Sequence, residues 1–246
     1  MNLRYYWRNR NQNLIARGKV SLLNPDKIEK QSILNSLVDA KQYVKGKLLD
    51  IGCGNKPYLP LFFDVLDEYI GLDLPNSGST NKPKNLADVY CSVLKLPFQS
   101  NSFDTVISTQ VLEHVAEPKT MLLEAHRVLK GGGYLILTAP MTWGLHEIPY
   151  DYYRYTEYGL KYLAEKAGFK IVYIKERFGF WAMIGQRISS RIYFLWGKPK
   201  SLFSEFIKRS VCAAFQAIFL SIDLFIKAEG ETLGYIMVAN KFTYES

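Results

Sequence analysis

Apolar and polar positions follow two different periods along this 246-residue chain, and the two periods take turns. Residues 47–51, with Leu48, Leu49 and Ile51, form a short apolar run that ends in small residues, the mark of a buried strand. Comparable runs lie near 68–72, 88–91, 103–108 and 133–139. Segments near 57–65, 119–130 and 156–167 place their apolar residues at helical spacing instead. Ahead of the first strand, Asn24-Pro25-Asp26 offers a capping side chain, a proline for the first helical position and an acid for the first turn. Ile33, Leu34, Leu37 and Val38 then line one face, so residues 25–44 are predicted to be a helix. Thr156 caps the helix that carries Leu160, Leu163, Ala164 and Ala167, and Gly168 ends it. Phe169 to Lys175 alternates as a sixth strand. The alternation predicts the α/β class: a doubly wound parallel sheet with helices on both faces.

Two apolar segments fill residues 179–230. The first holds Phe180, Trp181, Met183, Ile184 and Ile188, with Arg187 and Arg191 one helical turn apart. After Lys198-Pro199-Lys200, the second is uncharged from Val211 to Ile222, where Asp223 interrupts it. Neither reaches the ~18 to 20 uninterrupted apolar residues of a spanning helix. Tryptophans with flanking Lys and Arg suit helices lying in the headgroup layer of a membrane. The other expectations are an extra helical layer packed on the domain, or a homodimer face.

The chemistry begins at Asp50-Ile51-Gly52-Cys53-Gly54-Asn55, a strand running into a glycine-rich turn. Gly52 and Gly54 lack the Cβ atoms that would block a ligand from the backbone, and ligands of open α/β sheets bind at the carboxyl ends of strands. A dinucleotide fingerprint requires a third glycine where this chain has Pro57, and the Gly-Lys-Ser/Thr ending of a phosphate-binding P-loop is absent. Both readings, and with them an NAD-dependent oxidoreductase, lose ground. Tyr69-Ile70-Gly71-Leu72-Asp73 supplies a second strand whose terminal acid can accept both hydroxyls of a ribose.

Four segments in order, LLDIGCG, YIGLDL, LPFQSNSFDTVISTQVLEHV and RVLKGGGYLILTAP, resemble the class I S-adenosylmethionine (SAM) dependent methyltransferases, specifically the type 11 group that includes quinone-biosynthesis enzymes. The resemblance covers roughly residues 45 to 178. It implies SAM as cofactor, with Asp50, Gly52, Cys53 and Gly54 along its methionine part, Asp73 on the ribose and Gln110 beside the sulfonium. The family's adenine-binding acid, four residues before Leu-Pro-Phe, is replaced here by Ser92, which accepts a hydrogen bond without charge assistance. In the family a Rossmann-like sheet of seven strands, with helices on both faces, closes with a hairpin of its last two strands; Glu231 to Lys241 looks like that seventh strand, so 179–230 is an insertion. The chain divides into a basic segment and helix (1–44), the SAM-binding core (45–178), the insertion (179–230) and the final strand (231–246).

Charge and composition narrow the partners. The formal net charge is +8. Residues 1–30 hold seven Lys or Arg against two acids and residues 179–246 eight against five, whereas 31–178 are balanced at sixteen each. A basic stripe across the catalytic face, as nucleic-acid backbones require, is therefore not expected. Basic flanks suit an anionic membrane surface. Cys53, Cys91 and Cys212 form no Cys-x-x-Cys pair and His114, His126 and His146 no metal-ligand spacing, so no disulfide framework and no metal are expected. With no signal-like apolar segment near Met1, the expected location is the cytoplasm, peripheral on the inner membrane face.

The segment after the fifth strand, Pro140 to Tyr155, is a long loop dense in aromatic and titratable groups, placed where a methyl acceptor would sit. His146 is the candidate general base, oriented by Glu147 or Asp151. Trp143, Glu147, Tyr152, Tyr153 and Arg154 are the candidate acceptor contacts. The pattern HE-P-DYYRYT resembles a subgroup found among surface-polysaccharide and glycolipid biosynthesis proteins, which implies a sugar or lipid-linked acceptor; taken with the quinone-biosynthesis enzymes of the wider group, the expected acceptor is small or lipid-linked, a sugar, glycolipid or quinone-like molecule. His114 and Glu113 are expected to be structural, near the cofactor. The rival function is a catalytically silent protein of the same fold that binds a membrane or partner.

Overall fold

The computed structural model describes residues 18–75, 86–199, 201–226, 228 and 230–242. The basic N-terminal residues up to Arg17, and Lys200, lie outside them.

Among the described residues seven strands form one sheet. In chain order the elements are α1 (Lys27–Ala40), β1 (Gly46–Ile51), α2 (Leu59–Phe62), β2 (Leu66–Asp73), β3 (Val89–Tyr90), β4 (Phe103–Thr109), α3 (Pro118–Val128), β5 (Leu129–Pro140), α4 (Glu157–Lys166), β6 (Lys170–Glu176), α5 (Phe180–Leu195), α6 (Leu202–Phe225) and β7 (Gly234–Asn240). The spatial order is β3-β2-β1-β4-β5-β7-β6. β7 runs antiparallel to both its neighbours and the remaining pairs are parallel. The strand order reverses between β1 and β4, which opens a crevice at their carboxyl ends.

Successive residues of the central strands serve opposite faces, as a pleat requires. Leu49, Val106 and Leu135 pack with Met121 and Ala125 of α3 and Leu160 of α4. Their neighbours Leu48, Ile107 and Ile136 pack with Ile33, Leu34 and Leu37 of α1 on the other side. The doubly wound prediction therefore stands.

Some boundaries differ from the expected ones for local reasons. Asn24 Oδ1 accepts from the Asp26 N–H at 2.9 Å, an Asx turn that puts Pro25 ahead of the helix, which starts at Lys27 and tightens into a 3-10 turn after Ala40. The 57–65 helix shrinks to one turn with Pro60 in it, and the third strand to two residues at the sheet edge. Thr156 caps α4 as expected, its hydroxyl accepting from Gly159 N at 3.1 Å.

The insertion forms an antiparallel pair of helices, α5 and α6, that packs on itself and on α1. Ile28, Ala182, Met183 and Leu233 make a third apolar cluster there. Gln216 and Gln186 both donate to the Pro25 carbonyl, at 2.7 and 3.1 Å, pinning the hairpin to the start of α1. Asp223, the charge that breaks the apolar run, accepts from the N–H groups of Gly179 and Ala182 and so caps α5. The hairpin forms the expected extra helical layer packed on the domain. No helix among the described residues is long and apolar enough to cross a membrane.

Candidate active site

The turn after β1 is built by backbone geometry that few residues other than glycine tolerate. Gly52 has φ +74°, and a Cβ on it would lie 2.2 Å from a Val111 methyl. Gly54 has φ +50°, but a Cβ there would meet nothing within 4 Å, so its open side faces the crevice. Gly52 and Cys53 donate to the Leu72 carbonyl at 2.8 and 3.0 Å, which ties the turn to the end of β2. Gly54 N donates to Asp73 Oδ2 at 2.9 Å, so the two halves of the expected cofactor cradle are joined directly. The Cys53 thiol is buried, and burial with the nearby Asp50 carboxylate raises its pKa, making it an inert wall.

Asp50 is buried, accepts from the Tyr69 hydroxyl through Oδ2, and leaves Oδ1 without a protein partner. Burial pushes its carboxyl from 3.8 up to about 7; the Tyr69 hydrogen bond and Lys56 oppose that rise and Asp73 adds to it. Lys56 was not legible as a site residue. It is fully buried with φ +54°, and its ammonium pairs with Asp88 at 2.6 Å and sits over the Tyr69 ring. Asp88 Oδ2 also accepts from Gly71 N at 2.8 Å, so one carboxylate holds both the turn and β2. Ser92 is exposed and its hydroxyl accepts from Leu94 N at 3.2 Å.

Across the crevice, a cavity of about 230 Å³ is lined by Glu29, Tyr58, Gln110, Glu113, Trp143 and His146 among others. Gln110 has φ +54° and donates through Nε2 to Glu29 Oε1 at 2.8 Å. Glu29 comes from α1 and is held by the fully buried Arg177 at the end of β6, at 3.0 Å. Ser32 receives a second bond from the same guanidinium nitrogen at 3.1 Å. This network locks α1 over the carboxyl ends of the sheet. Neither Glu29 nor Arg177 carried any local sequence signal, because each gains its meaning only when α1 and β6 meet.

Among the buried polar atoms without hydrogen-bond partners, four belong to residues lining this cavity, Glu29 Oε2, Gln110 Oε1 and both oxygens of Glu113, and Asp50 Oδ1 lies at the turn. Each such atom costs roughly 1–3 kcal/mol, and their clustering in one place marks where a polar ligand would be received. Burial raises the Glu113 carboxyl from 4.5 to about 8.

The loop after β5 delivers part of what its sequence suggested. His146 lines the cavity, with Nδ1 3.3 Å from Asp151 Oδ2 and 3.2 Å from the Gly144 carbonyl. Asp151, not Glu147, orients it; Glu147 is exposed. Burial lowers the His146 pKa, as does the neighbouring His114. Arg154 grips Asp151 through both oxygens at 2.7 and 2.8 Å and donates to the carbonyls of Gly144 and Trp143, which makes it a clamp for the loop. It holds the Asp151 carboxyl well below the usual range. Tyr152 and Tyr153 donate their backbone N–H groups to the Glu113 carbonyl, and the Tyr153 hydroxyl reaches the Ala116 carbonyl at 3.0 Å. Of the expected acceptor contacts, Trp143 lines the cavity, while Arg154, Tyr152 and Tyr153 brace it from behind.

Residues 49–137 match the family model described as a methyltransferase domain. An uncharacterized methyltransferase of Mycobacterium leprae is 32% identical over 114 residues, which cover 43% of this chain and 42% of that protein. A demethylmenaquinone methyltransferase of Renibacterium salmoninarum is 34% identical over 106 residues, 41% of this chain and 44% of that one. This chain thus spans less than half the length of these curated relatives. Among solved structures, phosphoethanolamine N-methyltransferase 2 of Haemonchus contortus in complex with SAM superposes with a TM-score of 0.54 at 20% identity, over 85% of this chain and 52% of that one. That likeness shows the fold.

Proposed function

We propose that this chain, whose residues 49–137 belong to the class I, type 11 SAM-dependent methyltransferase domain family, binds SAM and methylates a hydroxyl of a small or lipid-linked acceptor. The observation that carries the reading is the buried Asp50 Oδ1, without a protein partner, beside a glycine turn whose Gly54 side is open. An orphaned carboxylate oxygen and an unobstructed backbone are what the amino-acid end of SAM needs. Asp73 is the residue for the ribose, Gln110 lies between turn and cavity, and Ser92 is left for the adenine side. When bound, SAM would supply an electrophilic methyl carbon for transfer to an acceptor oxygen.

The chain's own contribution is positioning and proton handling. α1 roofs the cavity through Glu29, held by Arg177, and Trp143 offers an aromatic wall for a sugar or quinone ring. The acceptor proton is handled at the corner where His146, oriented by Asp151, meets Glu113 and His114. Calorimetry with SAM on the wild type and on Asp73→Ala tests the cofactor part. Saturable binding that weakens in the variant supports it, and equal affinities would remove Asp73 from the ribose.

The hairpin of α5 and α6 is the second part of the proposal: its free end docks on an anionic membrane and brings the site to a lipid-linked acceptor. Leu195, Leu202, Phe203 and Phe206 are exposed there, Leu202 by 92%, with Arg191 and Lys198 beside them. The basic set is smaller than the sequence suggested. Lys208 is buried, donating to the Gly197 carbonyl at 2.9 Å and lying over the Tyr193 ring. Arg187 is exposed but lies over the Trp143 ring, away from the hairpin tip, and Arg209 is paired with Glu205. Apolar insertion therefore outweighs charge in this docking.

A further inference from the structure

We propose that Glu113, His114 and His146 form a binding site for one divalent first-row transition-metal ion beside the acceptor cavity. The two histidines and the glutamate are unremarkable in sequence, yet the fold brings one ligand-capable atom from each within 4.8 Å of the other two. The rings of His114 and His146 meet edge to face with centroids 4.6 Å apart. His114 Nδ1 lies 2.7 Å from the Tyr150 carbonyl. A carbonyl only accepts, so Nδ1 carries the proton and Nε2 keeps its lone pair. That Nε2 is 3.9 Å from Glu113 Oε1, too long for a hydrogen bond and close enough to share an ion. His146 repeats the arrangement, its Nδ1 directed at the Gly144 carbonyl and Asp151. Among the described residues no hydrogen bond occupies either Nε2. Holding the far nitrogen of each imidazole by a carbonyl or carboxylate is how metal-ligating histidines are oriented.

Glu113 is the independent sign. It is 1% exposed, and neither carboxylate oxygen has a hydrogen-bond partner. A buried carboxylate with no donor is costly in either protonation state, and a cation held between it and the two imidazoles would satisfy both oxygens. Its backbone is fixed as well, since the Glu113 carbonyl accepts from Tyr152 and Tyr153. Two imidazoles and one carboxylate suit Zn²⁺, Mn²⁺ or Fe²⁺ over Mg²⁺ or Ca²⁺. Tetrahedral ligation at about 2.0–2.2 Å places ligand atoms roughly 3.4 Å apart, so the Glu113–His114 pair must close by about half an ångström.

Three protein ligands leave a coordination position open toward the cavity that Glu113 and His146 line. A hydroxyl bound there becomes more acidic and loses its proton to water. His146 then acts as a ligand and the metal supplies the activation. This use rests on the methyltransferase reading above; the site itself does not.

The test takes the full chain, stripped with a chelator and titrated with Zn²⁺ alone, with bound metal counted after gel filtration and Co²⁺ absorption recorded in parallel. The expected result is saturation near one equivalent and a visible Co²⁺ band, with affinity falling at least about tenfold in Glu113→Gln, in His146→Gln and in the outer-shell variant Asp151→Asn. Three variants at separate positions, each checked by circular dichroism, guard against loss of fold in any one. Absence of saturable Zn²⁺ binding in the wild type, or equal binding in the Glu113→Gln/His146→Gln double variant, overturns the proposal. SAM calorimetry on the same samples separates the two readings: SAM binding without Zn²⁺ binding sinks the metal site alone, and Zn²⁺ binding without SAM binding sinks the methyltransferase reading alone.

Discussion

Relative to the wild type, the cofactor-free Asp50→Asn protein should gain stability steadily as pH rises. Burial lifts the Asp50 carboxyl from 3.8 to about 7. Because the folded value lies above the unfolded one, the unfolded chain gives up this proton first. Stability from this group is fully present below about pH 4 and is lost as pH rises to about 7, after which the loss is constant. At about 1.4 kcal/mol per pH step, the whole loss is on the order of 4 kcal/mol, of which about 3 falls between pH 5 and pH 8. The substituted amide cannot ionise and escapes that slope. It leaves one buried group unpaired beside Tyr69, a cost of roughly 1–3 kcal/mol that does not vary with pH. The diagnostic is therefore the change in the wild-type-to-variant difference, not its sign at one pH. Thermal unfolding at pH 5, 6, 7 and 8 without SAM should show the variant gaining about 6–12 °C on the wild type across that range, at ~2–4 °C per kcal/mol for a chain of this size. A difference that stays constant with pH would mean Asp50 is not held neutral by burial. The same substitution should weaken SAM binding at pH 8, where the Asp50 carboxyl is ionised, by about 10-fold or more, since it removes a charged acceptor.

Asp73→Ala should lower SAM affinity by about 10- to 100-fold in calorimetry, from the loss of hydrogen bonds to a charged acceptor, with the fold intact by circular dichroism. Asp88→Asn removes the carboxylate that faces the buried Lys56 ammonium and should cost about 3 kcal/mol in urea unfolding. Adding Lys56→Met should recover most of that loss, and failure to do so would place the cost elsewhere. Phe203→Ser with Phe206→Ser should reduce flotation with anionic liposomes several-fold while leaving Tm nearly unchanged, since both side chains are exposed. Unchanged flotation, or a dimer that ignores vesicles, would assign the hairpin tip to a protein interface.

The sheet and the glycine turn proposed to cradle the cofactor were legible in the sequence because their signals are local. A buried strand needs a short apolar run, the turn after it needs Gly52 and Gly54 for positive φ, and Asp73 ends its own strand. The helix ending in Gly168 was written into its cap and spacing as well. Tertiary structure decided the rest, through contacts between residues far apart in the chain. Glu29 and Arg177 become a pair only because α1 lies across the end of β6, and Lys56 becomes a core residue only because Asp88 arrives with the third strand. The same holds for the corner proposed to receive the acceptor: spacing between His114 and His146 carries no ligand pattern, yet the loop after β5, clamped by Asp151 and Arg154, folds back and sets one ring against the other. Local propensity acts within a few residues, whereas a buried charge is stabilised by whatever partner packing brings to it, and that partner has no fixed distance along the sequence.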